Sequence, residues 1–225
     1  MSDSITLYRF LNLPAALKSI EKRNLRVGRI SEFNDPFEWR LGIKGGSEEE
    51  DVILDAQLRV EIDQLNRNIG VVCFSNAEDD PVLWATYADN HTGVVLEFDY
   101  AIDDEGTLKK IEYSDNRPLI DAEWLHKGDD GKAKIKPVYE KMFNQKASSW
   151  AYEREYRVHV ELENCETGNG SYFTPIRGNF LTRVILGFRC PVEEQYIRRA
   201  LKQAGFENTE VRRARMDHYS YRILY

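Results

Sequence analysis

The sequence predicts an α+β fold: a single domain over residues 1–225, with a mixed, largely antiparallel sheet flanked by helices. Segments with strand periodicity outnumber helical segments, and several of them follow one another directly along the chain. A length of 225 residues suits one hydrophobic core. No low-complexity linker and no internal repeat of roughly 20 to 50 residues divides the sequence.

Periodicity and turn residues predict the elements of the first part of the chain. Alternating apolar residues indicate strands, whereas Pro14 and the acidic run at 48–51 are typical of helix starts. Asn34, Asp35 and Pro36 predict a turn, because proline fixes φ and Asx side chains bond nearby amides. The expected order is strand 5–11, helix 13–23, strand 25–27, turn 31–38, helix 48–65 and strand 70–74.

The same signals continue to the end of the chain. Pro81, which follows two aspartates, opens a helix, and Gly205 stops the last helix. Residues 115–127 carry no clear pattern. The expected order is helix 79–90, strands 93–98 and 108–113, helix 132–146, strands 155–162, 172–175 and 183–188, helix 192–204, and a strand or two up to the end.

Composition excludes several classes of protein. The chain has 31 basic and 38 acidic residues, a net charge of −7, and 42% hydrophobic residues, which argues against disorder. No apolar run approaches the roughly 20 residues of a membrane span and no signal peptide pattern is visible, so we expect a cytoplasmic protein without membrane contact. Cys73, Cys165 and Cys190 form no C-x-x-C pair, so we expect reduced thiols and no metal.

Charge is unevenly distributed along the chain. Residues 97–130 hold eleven acidic and four basic residues, a segment that would repel a phosphate backbone. Residues 198–215 hold six basic and two acidic residues. We interpret this basic patch as a solvated surface, because no nucleic-acid motif accompanies it; nucleic acid is the less favoured partner.

Arg9 shares one face of the first predicted strand with Ile5, Leu7 and Leu11. A permanent cation at the rim or inside of an apolar surface needs an acidic partner or an anionic ligand. Arg9 is therefore either an ion-paired residue at a strand end or part of a binding site. The pattern alone favours neither.

Residues 150–162 combine an apolar face with an ionisable one. Period two places Tyr156, Val158, Val160 and Leu162 on the first face, and Glu153, Glu155, Arg157, His159 and Glu161 on the second. The pattern favours a solvated outer face with ion pairs. The alternative is a cleft wall, where a carboxylate stabilises developing positive charge and an arginine holds an anion.

Trp84, Tyr87 and His91 recur at helical spacing after Pro81. A stripe of this kind more often faces the core. It also suits stacking on a ligand ring, with His91 as a group that titrates near neutral pH.

Several catalytic classes lack their motifs. The sequence contains no G-x-x-x-x-G-K, G-x-G-x-x-G or H-E-x-x-H, so Walker-type nucleotide binding, a Rossmann site and zincin chemistry are unsupported. Cys73 with His91 or His159 is a conceivable nucleophilic pair. Residues 71–74, however, indicate a buried strand with an inert thiol.

Five short motifs resemble, in the same order, the uncharacterised bacterial family of unknown function numbered 2971. They are LYRF (7–10), FNDPFE (33–38), CFS (73–75), LWATYA followed by HTG (83–93) and WAYEREYR (150–157). Together they span nearly the whole chain. The family itself supplies no function.

The order of polar residues also resembles ADP-ribosyltransferases of the arginine-serine-glutamate type. The resemblance implies NAD as substrate, with Arg9 holding its phosphate or ribose, Ser75 positioning the nicotinamide ribose and Glu155 stabilising an oxocarbenium-like transition state. Glu153 is the implied second glutamate, which activates an acceptor. Asn76 and Ala77 follow Ser75 where that type has Ser-Thr-Ser, so Tyr87 is an alternative for the middle role. The expected ligand contacts are Tyr8, Asn34, Asp35, Trp84, Tyr87, His91 and Arg157.

Two classes of function follow from these residues. The first is an NAD-dependent ADP-ribosyltransferase or NAD glycohydrolase, acting as a toxin or phage-defence effector. The second is a non-catalytic sensor domain that binds a nucleotide or a protein through the same cleft, and a hydrolase of another type is the remaining alternative. The residues expected to converge on one concave site are Arg9, Asn34, Ser75, Tyr87 and Glu155. Phe33 and Phe37 should bury their rings, which leaves Asn34 or Asp35 facing the cleft.

Overall fold

The computed structural model describes residues 4–101, 107–176 and 180–225. Its α-helices are α1 (Leu13–Lys22), α2 (Glu48–Asn68), α3 (Pro81–Tyr87), α4 (Gly128–Asn144) and α5 (Glu194–Gln203). Its strands are β1 (Ser4–Leu11), β2 (Asn24–Arg29), β3 (Gly42–Lys44), β4 (Ile69–Ser75), β5 (Val94–Ala101), β6 (Leu108–Lys110), β7 (Glu112–Ser114), β8 (Leu119–Asp121), β9 (Gln145–Ala147), β10 (Glu155–Glu161), β11 (Glu166–Gly168), β12 (Ser171–Pro175), β13 (Leu181–Leu186), β14 (Glu210–Arg213), β15 (Arg215–Met216) and β16 (Ile223–Leu224).

The structure confirms the α+β class and the mixed, largely antiparallel sheet. Ten of the described strands form one sheet with the main order β11-β12-β2-β4-β1-β5-β13-β14. The other two strands form a branch, in which β10 pairs with β4 and β6 pairs with β10. Within this sheet β13 and β14 run parallel, and the other pairs are antiparallel. α5 supplies the crossover that two parallel neighbours need.

Strand β4 has different partners along one of its edges. On the undivided edge, β10 pairs with all seven residues of β4. On the divided edge, β2 pairs near the start of β4, where Gly28 lies opposite Val71. β1 pairs near the end of β4, where Tyr8 lies opposite Ser75. β1 and β2 therefore diverge and leave a gap beside β4.

Apolar side chains from both faces of the sheet form the core. On one face, Ile20 of α1 and Ile197 of α5 belong to a cluster with residues of β5 and β13. On the other face, Trp84 of α3 packs in a cluster with Val95 and Ile185. The alternation of a strand thus sends neighbouring residues of β5 and β13 into different clusters. A third cluster, around Trp39, includes residues of α2 and α4.

α2 is a long helix of 21 residues that mixes acidic and basic side chains with apolar ones. Leu54 and Leu58 are buried, while Val52 and Val60 remain largely exposed. Among the helices that the structure describes, none combines the length and the apolar composition that crossing a bilayer needs.

The helix expected at 79–90 is shorter than its pattern suggested. α3 ends at Tyr87, because residues 89–91 have φ values of 49° to 67°. That left-handed region is not compatible with a continuing right-handed helix. His91 therefore does not extend the helical face that carries Tyr87.

The helix expected at 132–146 is displaced toward the N-terminus. α4 spans Gly128–Asn144, and Lys146 lies in β9, which pairs in parallel with β7. Pairing with a strand distant in sequence decides the conformation here, which local propensity does not report. The unassigned stretch 115–127 contains β8 and a 3₁₀ helix, Ala122–His126.

Gly93 lies where three backbone segments meet. Its N–H donates to the carbonyl oxygen of Ala88 at 2.8 Å, and its own carbonyl oxygen accepts from the N–H of Gly187 at 2.9 Å. A methyl group at Gly93 would collide with the carbonyl oxygen of Leu11 and lie 2.8 Å from that of Ala88. Because backbone atoms cannot rotate away, we expect Gly93→Ala to lower the free energy of unfolding by about 1 to 3 kcal/mol.

Urea unfolding of Gly93→Ala and wild-type protein measures this loss. Gly168→Ala is the control, because an added methyl group there would meet only the Phe173 ring, at 3.6 Å. We expect the control to change the free energy of unfolding by about 0.5 kcal/mol or less. Equal stability of Gly93→Ala and wild type would contradict the expectation.

Candidate functional site

A cavity of about 440 Å³ occupies the gap between β1 and β2. Cys73 and Ser75 of β4 line it, together with Phe33 and Asn34 from the segment after β2. Tyr87 contributes from the end of α3. The volume is in the range of small-molecule sites, and the lining comes from separate parts of the chain.

All five residues expected to converge do line this cavity: Arg9, Asn34, Ser75, Tyr87 and Glu155. Strand register explains much of the convergence. Tyr8, which precedes Arg9, lies opposite Ser75, and Ser75 lies opposite Glu155. Three neighbouring strands therefore bring these residues together. Tyr8 and Glu153 also line the cavity.

Arg9 is a cation without a carboxylate partner in the described parts of the chain. Its Nη2 donates to the carbonyl oxygen of Arg26 at 2.7 Å, while its buried Nη1 has no partner among the described residues. Burial lowers the pKa of Arg9 from its ordinary value, although an arginine stays protonated in proteins. Of the two alternatives that the sequence left open, this geometry favours an anionic ligand.

The first part of the ionisable face, Glu153, Glu155 and Arg157, is buried, so the expected solvated outer face is wrong there, whereas Glu161 at the end of β10 is exposed. Arg157 is 0% exposed and Glu155 is 4% exposed. The rings of Phe33 and Trp39 lie 5.2 and 5.4 Å from the Arg157 guanidinium carbon. Residues that follow β2 thus fold over this face and exclude water from it.

Five charged side chains form a buried cluster, called here the carboxylate cluster: Glu38, Lys146, Glu153, Glu155 and Arg157. Arg157 donates to Glu155 through Nε and Nη2, each at 2.8 Å, and also to Glu38. Lys146 Nζ lies 2.5 Å from Glu153 and 3.4 Å from Glu155. With all three carboxylates ionised, two cations face three anions and the net charge is −1.

Two carboxylates of the cluster, Glu155 and Glu38, have pKa values shifted in opposite directions. Burial raises the pKa of Glu155, but Arg157 and Lys146 outweigh burial and hold that pKa below its ordinary value. Burial also raises the pKa of Glu38, and there the same two cations only partly offset it. Glu155, which lines the cavity, therefore stays ionised at neutral pH.

Tyr87 and Tyr113 hold the two glutamates that line the cavity. The Tyr87 hydroxyl donates to Glu153 Oε1, and burial together with this carboxylate raises the pKa of Tyr87. The backbone N–H of Glu155 donates to the Tyr113 hydroxyl at 2.8 Å. Both phenols are therefore neutral and serve as fixed hydrogen-bonding groups.

Ser75 uses its hydroxyl within the protein. Its Oγ donates to the carbonyl oxygen of Glu153 at 2.5 Å and accepts from the N–H of Ala77 at 2.9 Å. The hydroxyl hydrogen is thus already committed. In this structure Ser75 positions the Glu153 backbone, and Tyr87, which is half-buried, lines the cavity.

Four of the expected ligand contacts, Asp35, Trp84, His91 and Arg157, do not line the cavity. Trp84 is fully buried under Phe10, so its ring is not available for stacking. His91 stacks on Trp84, with ring centroids 6.2 Å apart, and does not line the cavity. Arg157 is enclosed by the carboxylate cluster, where it acts as an internal counter-ion.

The loop that begins at Phe33 is only partly as expected. Phe33 packs edge-on against Trp39, whereas Phe37 is 60% exposed, so the expected burial of its ring is wrong. Asn34 lines the cavity. Asp35 accepts from the N–H of Phe37 at 2.9 Å and lines a neighbouring cavity of about 280 Å³ instead.

Sequence patterns did not predict the role of two members of the carboxylate cluster, Lys146 and Glu38, whereas they did predict an inert thiol at Cys73. The sequence predicts Lys146 at the end of a helix, and it marks Glu38 only as the last residue of the FNDPFE motif. Neither has a local signal, because their partners are distant in sequence. Burial raises the pKa of Cys73 well above its ordinary value, which agrees with the inert thiol expected there.

The basic patch at 198–215 uses several of its charges internally. Arg198 donates to the carbonyl oxygen of Val211 at 2.8 Å, and Arg213 donates to three backbone carbonyl oxygens. Arg212 pairs with Glu210 at 2.5 Å. These contacts reduce the number of cations free to meet a phosphate backbone.

Comparison with known proteins identifies one similarity. The model of a family described as "Protein of unknown function (DUF2971)" matches residues 83–158, about a third of the chain. The matched stretch includes Tyr87, Lys146, Glu153 and Glu155, and the motifs at 7–10, 33–38 and 73–75 lie outside it. No curated protein and no solved structure matches the chain. The likeness to ADP-ribosyltransferases stays a prediction.

Proposed function

We propose that the cavity binds NAD and breaks the bond between nicotinamide and ribose, so that the protein is an NAD glycohydrolase or an ADP-ribosyltransferase. The observation that carries this proposal is the pairing of opposite charges around one cavity. Arg9 on β1 is a cation without a carboxylate partner among the described residues, and the carboxylate cluster, when its three carboxylates are ionised, presents a net negative charge from β10 and its neighbours. NAD needs both, because it brings phosphates and develops a positive charge at its ribose.

The lining residues divide the chemistry between them. As the bond from C1′ to the nicotinamide nitrogen breaks, the electron pair leaves with nicotinamide and positive charge develops on the ribose ring. Glu155 is ionised and lines the cavity, so it stabilises that charge. Glu153 accepts the proton from water or from an acceptor hydroxyl that attacks C1′. The Tyr87 ring supplies a flat apolar surface for the nicotinamide ring.

A binding module without turnover is the second candidate. Both Glu155 oxygens already accept from Arg157, and the Ser75 hydroxyl is committed to the backbone. A site whose polar groups are satisfied in the absence of ligand is suited to stable recognition. In this role the protein would sense a nucleotide through Arg9.

Turnover separates the two candidates. Purified protein is incubated with NAD, nicotinamide and ADP-ribose are quantified by chromatography, and binding of NAD is followed by calorimetry. Release of nicotinamide supports the enzyme, while binding of NAD without release supports the sensor. If the protein neither binds NAD nor releases nicotinamide, the assignment of NAD to this cavity is refuted.

Replacing Arg9 tests the anion contact. We expect Arg9→Gln to weaken NAD binding by about 10- to 100-fold, because a charge-assisted contact contributes roughly 1.5 to 3 kcal/mol. The same change should not lower the melting temperature of the ligand-free protein, because Arg9 is a partly buried cation without a carboxylate partner among the described residues.

The control for Arg9 is Arg59→Gln, which removes a charge from the exposed surface of α2, where Arg59 pairs with Asp55. Calorimetry and thermal unfolding are measured on both variants. Unchanged NAD affinity in Arg9→Gln would exclude Arg9 as the anion contact. A large drop in its melting temperature would show that Arg9 is a structural residue.

A further inference from the structure

Strand β2 presents a second arginine to the cavity that Arg9 lines. Arg26 and Gly28 both line the cavity, and their spacing of two residues places them on one face of β2. Arg9 Nη2 reaches across the gap and donates to the backbone carbonyl oxygen of Arg26. The two arginines are therefore neighbours on facing strands.

Arg26 is held loosely. Its Nη2 lies 3.1 Å from Glu32 Oε2, and the Arg26 side chain is 55% exposed. An exposed ion pair of this kind contributes little to folding stability, so Arg26 can turn toward an anion at a small cost in free energy. Glu32 keeps other partners when that happens, because it also accepts from the N–H of Arg29 at 3.1 Å.

Gly28 lines the cavity from the same strand as Arg26 and leaves room there for a side chain. A methyl group added there would make only ordinary contacts, 3.7 Å from the carbonyl oxygen of Val71 and 3.9 Å from the Phe33 ring. Its φ is also outside the left-handed region. The fold therefore does not require glycine at this position, whereas a ligand that approaches the backbone of β2 does benefit from it.

We propose that Arg9, Arg26 and Gly28 form a seat for two adjacent phosphates, so that the cavity selects ligands that carry a diphosphate over nucleoside monophosphates. The inference rests on the proposed function only for placing a nucleotide in this cavity. A diphosphate offers two anionic groups a few atoms apart, and each can accept from one guanidinium. A single phosphate can engage only one of the two arginines fully.

ADP and AMP are the probes, because they share the nucleoside and differ by one phosphate. Calorimetry should show that the wild-type protein binds ADP about 10- to 100-fold more tightly than AMP, the effect of one additional charge-assisted contact. Arg26→Gln should remove most of this preference while leaving AMP affinity nearly unchanged. Arg29→Gln is the matched control, since Arg29 lies on the same strand and contacts the same Glu32 without lining the cavity.

Gly28→Val provides an independent steric test. Its side chain should occupy cavity space on β2 beside Arg26 and weaken ADP binding more than AMP binding. Thermal unfolding of the variant checks that the fold is intact. A folded Gly28→Val protein with the wild-type preference for ADP would overturn the role of Gly28.

The outcomes separate this seat from the proposed chemistry. Loss of the ADP preference in Arg26→Gln, in a protein that does not cleave NAD, supports the seat and refutes the enzyme. Cleavage of NAD together with an unchanged preference in Arg26→Gln supports the enzyme and refutes the seat. A wild-type protein that binds ADP and AMP equally, or neither of them, refutes the seat.

Discussion

Replacing Glu155 with glutamine is expected to lower the rate of nicotinamide release by about 10²- to 10³-fold, with a much smaller change in NAD affinity. Glutamine keeps the size of the side chain and an oxygen that accepts from Arg157. It removes the negative charge, and the carboxylate cluster then loses its net charge of −1. Because positive charge moves from the nicotinamide ring to the ribose only as the glycosidic bond breaks, the transition state loses more stabilisation than bound NAD does.

Glu161→Gln is the control for this experiment, since Glu161 lies on the same strand and is exposed. Single-turnover nicotinamide release and NAD affinity are measured for both variants and the wild type. Wild-type turnover in a well-folded Glu155→Gln protein would exclude the catalytic assignment. Thermal unfolding shows whether the fold survives the loss of one ion pair.

Replacing Arg157 with methionine is expected to lower the free energy of unfolding by about 3 to 5 kcal/mol at neutral pH. Arg157 is fully buried and pairs with Glu38 and Glu155. Without it, Lys146 is the only cation within ion-pair distance of those buried carboxylates among the described residues. Their pKa values then rise above the unfolded values, so the loss should shrink as the pH falls and protonation removes the charges.

Chemical denaturation at several pH values measures this effect. Arg212→Met is the matched control, because Arg212 pairs with Glu210 at the surface and should cost about 1 kcal/mol or less. Adding Glu38→Gln to Arg157→Met should recover part of the stability, since it removes one of the unpaired carboxylates. A loss of about 1 kcal/mol or less in Arg157→Met would show that the cluster is not under electrostatic constraint.

Strand periodicity predicted which residues share a face but not what covers that face. The ionisable residues of β10 do lie together, as period two indicated. Their burial depends on Phe33 and Trp39, which arrive from a loop more than a hundred residues earlier in the chain. Packing between residues so far apart leaves no local pattern in the sequence. The sequence therefore predicted a solvated face where the structure has a buried one.

Helical spacing had a similar limit in α3. Trp84 and Tyr87 belong to the helix, but the chain turns into the left-handed region before His91. The stripe of three rings therefore divides into a core residue, a cavity residue and a ring stacked outside the cavity. For Arg9 the strand pattern indicated an acidic partner or an anionic ligand, and the described residues supply no acidic partner.

Under the proposed function, the incomplete pairing of Arg9 would make the protein's lifetime depend on its ligand. An anion bound at Arg9 stabilises the folded chain by mass action, and the gain grows with the logarithm of ligand concentration above its dissociation constant. A hundredfold excess over that constant contributes about 2.7 kcal/mol. Proteases act on transiently opened molecules, so a nucleotide-depleted cell would degrade this protein faster than a nucleotide-replete one.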